Sequence, residues 1–241
     1  MNRLRICLVM PVFNEAEVVI EHVKSVLENC GDYLEKINII DDCSTDDTLT
    51  RLEIFKGNIK IKVTKNKINL GHGRTVLKGM KENLGNSDAI ITVDGDGNYD
   101  TKRLLEIIDC LNENRRYIEG VRVKREEAVY RKIVTLATRC VVFFKTRNFP
   151  KDANTPIRGY KSDLLFEFLS DMPDTTEVPN LLISIIARKK SVEIIELNID
   201  TTIRARTHQF GTTWQSKMKH IPSKKFLKFI FKASKEVLRF S

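Results

Sequence analysis

The chain has 241 residues, 41% hydrophobic and 30% charged, so it can bury a sizeable core and is not an intrinsically disordered protein. The net charge is +9, but the segment 216–241 holds eight Lys/Arg against one acid, so the first 215 residues carry only +2. Because residues 1–215 are nearly neutral, the net charge does not indicate a nucleic-acid-binding module, and no nucleic-acid partner is expected.

The cysteines and the apolar runs point to a cellular compartment. The five cysteines are scattered without a CxxC pair, which argues against a disulfide framework or a cysteine zinc site and favours a reducing cytoplasm. No signal peptide is predicted. No window reaches the ~18 apolar residues that a membrane span needs. We therefore expect a cytoplasmic protein that meets a membrane, if at all, peripherally on its inner face.

In chain order, the first hundred residues alternate between strand and helix patterns. Strands are predicted at 5–10, 36–40, 59–66 and 89–93, and helices at 17–29, 44–55, 71–84 and 101–114. Asn14 and Glu15 are predicted to cap the first helix, and Ser44 with Asp47 resembles a capping box for the second. The alternation predicts an α/β fold with a mostly parallel sheet flanked by helices.

The later segments extend this pattern into one domain. Helices are predicted at 128–144 and 179–189 and a strand at 191–199, so a single domain is expected over 1–215. Residues 216–241 are predicted to be a basic tail, in which 224–240 form an amphipathic helix with lysines on one side and phenylalanines on the other. Such a tail lies on an anionic membrane surface or packs on the core, and the pattern leaves both open.

Three predicted strands end in polar or acidic residues: PVFNE, DDCSTD and DGDGNYD. The carboxyl ends of parallel strands meet at one edge of a sheet, where ligands bind. Asp94, Asp96 and Asn98 offer hard oxygen ligands that suit Mg²⁺ or Mn²⁺ bridging to a diphosphate. The alternative is a solvated turn. The four histidines lack metal-ligand spacing, and His22 and His220 are expected on the surface.

The motifs PVFNEAEVV, IIDDCSTDDT, NLGHGRTVLKG and DGDGNYD, in this order and spacing, closely resemble the family-2 glycosyltransferases. The resemblance covers most of residues 6 to 215 and is strongest to the polyprenyl-phosphate (dolichyl-phosphate) mannosyl- or glucosyltransferase branch. It implies a GT-A fold, with a nucleotide-sugar half over about 1–100 and an acceptor half over about 101–215. It also implies a DxD metal motif.

The resemblance also implies roles for residues of the first half. Pro11, Phe13, Asn14 and Glu15 would line the nucleoside pocket, and Asp42 would hydrogen-bond the base. The metal and donor phosphates would be held by Asp94, Asp96 and Asn98. Cys43 stands where this family usually has glycine, which predicts that the turn does not need a positive φ.

In the second half, GVRVKREEAVYRK, DANTPIRGY and IRARTHQFGTTW resemble family segments that carry arginines. A diphosphate leaving group calls for planar bidentate donors, which arginine supplies. The residues implicated in catalysis or in donor and acceptor binding are Arg122, Arg125, Arg131, Asp152, Arg158, Arg206 and Thr213. With Asp96, the residues Asp152 and Arg122 are the predicted catalytic set.

The predicted reaction is inverting transfer from a nucleotide diphosphate sugar to a polyprenyl phosphate. An ionised phosphate can attack without a base, whereas a sugar hydroxyl needs one. Asp152 and Glu177 are the candidate bases. The alternatives are transfer to a hydroxyl of a surface polysaccharide or glycolipid and, more remotely, a non-catalytic basic lipid- or nucleic-acid-binding module.

Overall fold

The computed structural model describes residues 3–123, 129–200, 232 and 235–238, with only the backbone of 129–134. Seven strands form one sheet. The strands are β1 Ile6–Val12, β2 Lys36–Asp41, β3 Ile61–Lys65, β4 Ala89–Thr92, β5 Tyr117–Val123, β6 Arg158–Lys161 and β7 Ile195–Asp200. The helices are α1 Val19–Cys30, α2 Thr48–Leu52, α3 His72–Asn83, α4 Arg103–Asn112, α5 Val129–Thr146, α6 Ser162–Leu169 and α7 Pro179–Lys189.

The strand order is β3-β2-β1-β4-β6-β5-β7, and only β6 runs antiparallel to its neighbours. The polar residues after β1, β2 and β4 therefore meet at one edge of the sheet, as predicted. Because β6 is antiparallel, the segment that enters it also lies at this edge. We call this side of the sheet the site edge.

Helices cover both faces of the sheet, and β1 shows why. All seven residues of β1 are buried. Leu8 and Met10 point into a cluster with α1 and α4, while Cys7 and Val9 point into a cluster with α3, α6 and α7. Such two-sided burial is typical of a central parallel strand.

Two predicted helix caps are wrong. No side-chain cap bonds the start of α1 or of α2. Asn14 adopts φ 54° and its side chain bonds Thr45 instead. The Ser44 hydroxyl accepts the backbone N–H of Asn14 at 3.0 Å. The polar residues predicted to cap helices are used to join the loops after β1 and β2.

Two further expectations are also wrong. Cys43 adopts φ 64°, so the turn after β2 does need a positive φ, and a residue with a Cβ occupies it. His22 is fully buried rather than at the surface. Its Nε2 lies 3.1 Å from the Tyr99 hydroxyl, and the two rings meet edge to face at 5.1 Å.

The described part of the tail contacts the core. Val237 is buried against the cluster of α3, α6 and α7. The carboxylate of Glu236 accepts the backbone N–H groups of Glu177 and Val178, at the start of α7. The membrane role of 224–240 stays a prediction, because most of that segment lies outside the described residues. Within the described residues, no helix is both long and apolar enough to cross a membrane.

Candidate active site

The loops after β1 and β2 are joined by hydrogen bonds, most of them between uncharged groups. The Asn14 side-chain carbonyl accepts the N–H of Thr45 at 2.8 Å, and the Thr48 hydroxyl accepts the N–H of Glu15 at 2.8 Å. Pro11, near the end of β1, is buried, and Phe13, directly after the strand, is half-buried. The structure thus brings the predicted nucleoside-pocket residues to the site edge, and their contact with a nucleoside stays a prediction.

Asp42 organises the next loop. One carboxylate oxygen accepts the N–H of Leu70 and the side-chain amide of Asn66, and the other accepts the N–H of Gly71, each at 2.8 Å. Asp42 is buried. Its carboxylate therefore fixes the loop that leads into α3, a role that the sequence did not indicate. Its predicted hydrogen bond to the base remains untested.

The loop after β4 packs tightly against β1. A Cβ on Gly95 would lie 2.5 Å from Val12 Cγ1 and 2.6 Å from the Pro11 carbonyl oxygen, so only glycine fits there. Gly97 has φ 67° and lies directly against His22. The buried His22 thus supports the segment between Asp96 and Asn98.

The predicted metal ligands lie together in this loop. Asp96 accepts two hydrogen bonds from Asn98, from the backbone N–H at 3.1 Å and from the side-chain amide at 2.7 Å. Asp94 lies 3.3 Å from His72 Nε2 and its side chain is 31% exposed. Burial raises the pKa of Asp94, the charge of His72 lowers it, and the charge of Asp96 raises it further. The two carboxylates are therefore close enough to interact.

The ligand set fits a hard divalent cation, with one restriction. Among the described residues, no three His, Cys, Asp or Glu side chains are placed to hold a metal ion by themselves. Magnesium is usually held by one or two carboxylates together with substrate phosphates, so Asp94 and Asp96 satisfy the requirement of the protein side. The bonds from Asn98 orient Asp96, which gives Asn98 a positioning role whether or not its oxygen binds the metal.

Arg122 and Asp152 form an ion pair at the part of the site edge formed by β5 and the segment entering β6, which is predicted to bind the acceptor and which we call the acceptor side. Arg122 Nε donates to one Asp152 oxygen at 2.7 Å and Nη2 donates to the other at 3.0 Å. The Asp152 side chain is only 5% exposed, whereas Arg122 is 21% exposed. The positive charge of Arg122 also lowers the pKa of Asp94, after the larger effects of burial, His72 and Asp96. The structure thus places this arginine close enough to interact electrostatically with the loop after β4, residues 93–102, which we call the acidic loop.

Arg158 is not placed to bind a donor. It has no exposed surface, and its guanidinium contacts Glu119, Tyr117 and the carbonyl oxygens of Ala153 and Thr155. Its predicted donor-binding role is therefore wrong, because a fully buried side chain cannot reach a diphosphate. Arg158 instead fixes the segment that carries Asp152.

A second arginine completes this buried cluster. Arg188 of α7 is 4% exposed and donates to both oxygens of Glu119, at 3.1 and 2.8 Å. Burial alone would favour neutral Glu119, but the charges of Arg158 and Arg188 hold its pKa below the usual range. The cluster therefore ties β5, β6 and α7 together.

The structure also shows residues that sequence reasoning missed. His72 was not assigned to the site, although it pairs with Asp94. Arg74, one turn into α3, has a buried Nε without a partner among the described residues. Both stand in the glycine-rich GHGRT segment, which gave the only signal. The predicted residues Arg125, Arg206 and Thr213 lie outside the described residues, as does the side chain of Arg131.

Glu177, the second candidate base, is also paired. Its Oε1 lies 3.1 Å from Lys232 Nζ in the tail. Its backbone carbonyl packs against Gly73, which leaves no room for a Cβ there. Glu177 thus links the tail to the start of α3.

Comparison with known proteins gives a family match and distant relatives. Residues 7–169 match the family model described as Glycosyl transferase family 2. An undecaprenyl-phosphate 4-deoxy-4-formamido-L-arabinose transferase of Sodalis glossinidius is 23% identical over 89% of the chain. A dolichol-phosphate mannosyltransferase of Pyrococcus furiosus is 22% identical over 96% of the chain. The chain spans 64% of the length of each of these two relatives.

Solved structures share the architecture. A glucosyl-3-phosphoglycerate synthase from Mycobacterium tuberculosis, in complex with Mn²⁺ and uridine-diphosphate-glucose, aligns with a TM-score of 0.59 and 16% identity. The alignment covers 84% of this chain and 72% of that one. At this identity the likeness establishes the fold alone.

Proposed function

The chain belongs to glycosyl transferase family 2, and we propose that it moves a sugar from a nucleotide diphosphate sugar to a polyprenyl phosphate at a membrane surface. The enzyme class follows from the family. The donor, the metal and the acceptor are proposals, and each is supported by a different part of the site.

The acidic loop supports a metal-dependent donor site. Asp94 and Asp96 would hold Mg²⁺ or Mn²⁺, which, when bound, neutralises charge that develops on the departing diphosphate. The M. tuberculosis synthase was crystallised with Mn²⁺ and uridine-diphosphate-glucose. In this chain, Asn98 would keep Asp96 oriented, and Pro11, Phe13, Asn14, Glu15 and Asp42 would surround the nucleoside.

The position of Arg122 supports the proposal that the site binds phosphate groups. It is partly exposed at the site edge, and Asp152 holds its guanidinium through two hydrogen bonds. A guanidinium fixed in this way is a prepared partner for a phosphate oxygen, since it needs no reorientation during the reaction. Arg131 and Arg206 remain predicted donor-binding residues.

Our choice of a phosphate rather than a hydroxyl acceptor rests on the pairing of both candidate bases. Both Asp152 oxygens are bonded to Arg122, and Glu177 is paired with Lys232. Both predicted bases are therefore already engaged by a cation, which favours an acceptor that needs no base. A lipid phosphate is already ionised near pH 7, since the second pKa of a phosphate monoester is about 6, and it can attack without a base. The names of two relatives specify undecaprenyl phosphate and dolichol phosphate.

The test compares polyprenyl phosphate with polyprenol, which has the same chain but ends in a hydroxyl. Labelled UDP- and GDP-sugars are supplied with Mn²⁺, and the glycolipid is resolved by thin-layer chromatography. We expect glycolipid product with polyprenyl phosphate and none with polyprenol. Product with polyprenol or an oligosaccharide, and none with the phosphate, would establish the hydroxyl-acceptor alternative.

A further inference from the structure

A contiguous apolar patch lies on the second half of α5 and the turn that follows it. Phe144 is 73% exposed and Phe149 is 46% exposed. The ring of Phe143 lies 5.9 Å from that of Phe144 and 6.0 Å from that of Phe149. We call these three residues the phenylalanine patch. Leu136 and Val141 on α5 are also exposed. Grouped exposure of large apolar side chains marks an interaction surface, whereas scattered exposure does not.

The patch lies in a basic stretch of the chain. Residues 135–151 contain four basic side chains and no acidic one: Arg139, Lys145, Arg147 and Lys151. The Arg139 guanidinium lies 4.3 Å over the ring of Phe149. Burial and the nearby charge of Lys189 lower the pKa of Lys145, so the end of α7 adds to the same field. Lys151 is paired with Glu196. Lys145 and Arg147 are therefore the charges best placed to act with the patch.

The patch lies close to the acceptor side of the site edge. Phe149 precedes Asp152 by three residues, a stretch that spans at most about 11 Å. Asp152 is bonded to Arg122, which lies near the carboxyl end of β5 at the site edge. A surface in contact with the patch would therefore also lie near Arg122.

We propose that the phenylalanine patch, with Lys145 and Arg147, is the surface on which this protein rests on an anionic phospholipid bilayer. Aromatic and aliphatic side chains beside lysine and arginine are the composition that binds a membrane interface. A second copy of this chain fits less well, because a two-fold contact would place the same positive charges opposite each other. The proposal rests on the proposed function for its purpose, since a lipid phosphate would then enter the site directly from the bilayer.

The experiment measures sedimentation of the full chain with vesicles of phosphatidylcholine, alone or mixed with phosphatidylglycerol. We expect binding to the mixed vesicles. Phe144→Ser should weaken it about tenfold or more, since burying one phenylalanine contributes at least as much. Lys145→Gln with Arg147→Gln should weaken it about thirtyfold, and high salt should weaken wild-type binding. Thermal melting checks that each variant is folded.

Phe166→Ser is the matched control, because Phe166 is 62% exposed on α6 and is followed by an acidic residue, Glu167. It should leave vesicle binding unchanged. Binding that survives the α5 variants and is lost on Lys232→Gln with Lys235→Gln would overturn the proposal in favour of the tail. Absence of wild-type binding, or a dimer in solution that Phe144→Ser dissociates, would also overturn it. Nucleotide binding measured on the same samples shows whether the donor site stands independently of this result.

Discussion

The two parts of the site edge, which we propose bind the donor and the acceptor, are held in place by different interactions. On the donor side, short polar contacts join neighbouring loops, such as Asn14 to Thr45 and Asp42 to the amides of Leu70 and Gly71. On the acceptor side, the segment that carries Asp152 is fixed by the buried charge of Arg158, which is paired with Glu119. Hydrogen bonds between neighbouring loops suffice where adjacent parallel strands already align those loops. The antiparallel β6 brings in a distant segment, which a buried ion cluster holds.

Loss of the buried cluster should give the largest effect. Arg158→Met leaves Glu119 buried with one partner fewer and frees the carbonyls of Ala153 and Thr155. We expect a loss of about 3–5 kcal/mol in the free energy of unfolding, measured with urea. Arg115→Met removes an exposed pair with Glu193 and should cost at most about 1 kcal/mol. Equal losses in the two variants would mean that the cluster does not fix the acceptor side.

The same cluster predicts sensitivity to acid. The pKa of Glu119 is lower in the folded protein than its usual value, so the unfolded chain binds the proton first as the pH falls. The stability from Glu119 is present above the usual carboxylate pKa of about 4.3 and is lost below it. We expect a smaller loss than in Arg158→Met, because protonated Glu119 can still accept hydrogen bonds. Urea unfolding at a series of pH values, with wild type and Glu119→Gln, measures this. An identical pH dependence in the variant would contradict it.

On the donor side, Asp42→Asn should cost less than Arg158→Met. The Leu70 and Gly71 N–H groups bond different oxygens of Asp42, and asparagine replaces one of these acceptors by an NH2 group, which only donates. We expect a loss of about 1–3 kcal/mol. Asp47→Asn is the control, since Asp47 is exposed and makes no side-chain cap bond; it should change stability by no more than about 0.5 kcal/mol. Calorimetric unfolding of both variants compares them, and a neutral Asp42→Asn would show that this loop is not held by the carboxylate.

The smallest expected effect is a gain at the turn after β2. Cys43→Gly removes the Cβ from a residue at φ 64° and should stabilise the protein by about 0.5–1 kcal/mol. Cys43→Ala keeps the Cβ and should give no such gain. Thermal unfolding compares the two variants, and equal stability of the glycine and alanine variants would contradict backbone strain at position 43.

The donor side could be predicted from the sequence because its signals are local. Apolar strands that end in PVFNE, DDCSTD and DGDGNYD placed the polar loops at one sheet edge, and the GT-A fold is confirmed by the solved structures that align with the chain. The capping predictions failed because Asn14 and Ser44 bond each other's loops, and such a contact is invisible without the fold. Cys43 shows that a chain can tolerate strain where glycine is usual.

The acceptor side was harder to predict because its strands lack the long apolar run that indicates a buried strand. β6 has only four residues, and β5 contains the charged residues Glu119 and Arg122. The burial of Glu119 depends on partners 39 and 69 residues away, Arg158 and Arg188. The resemblance of DANTPIRGY implies a ligand-binding role for Arg158, and no local pattern distinguishes a buried arginine from an exposed one.

Metal-dependent nucleotide binding tests the central claim most directly. Calorimetric titration with UDP and GDP, each with and without Mn²⁺, is performed on wild type, Asp96→Ala and Asp163→Ala, whose altered carboxylate is exposed on α6. We predict that Mn²⁺ strengthens binding of one diphosphate in wild type and Asp163→Ala, and that Asp96→Ala weakens it at least about tenfold. Metal-independent binding, or equal affinity in Asp96→Ala, would contradict a metal-assisted donor site at this loop.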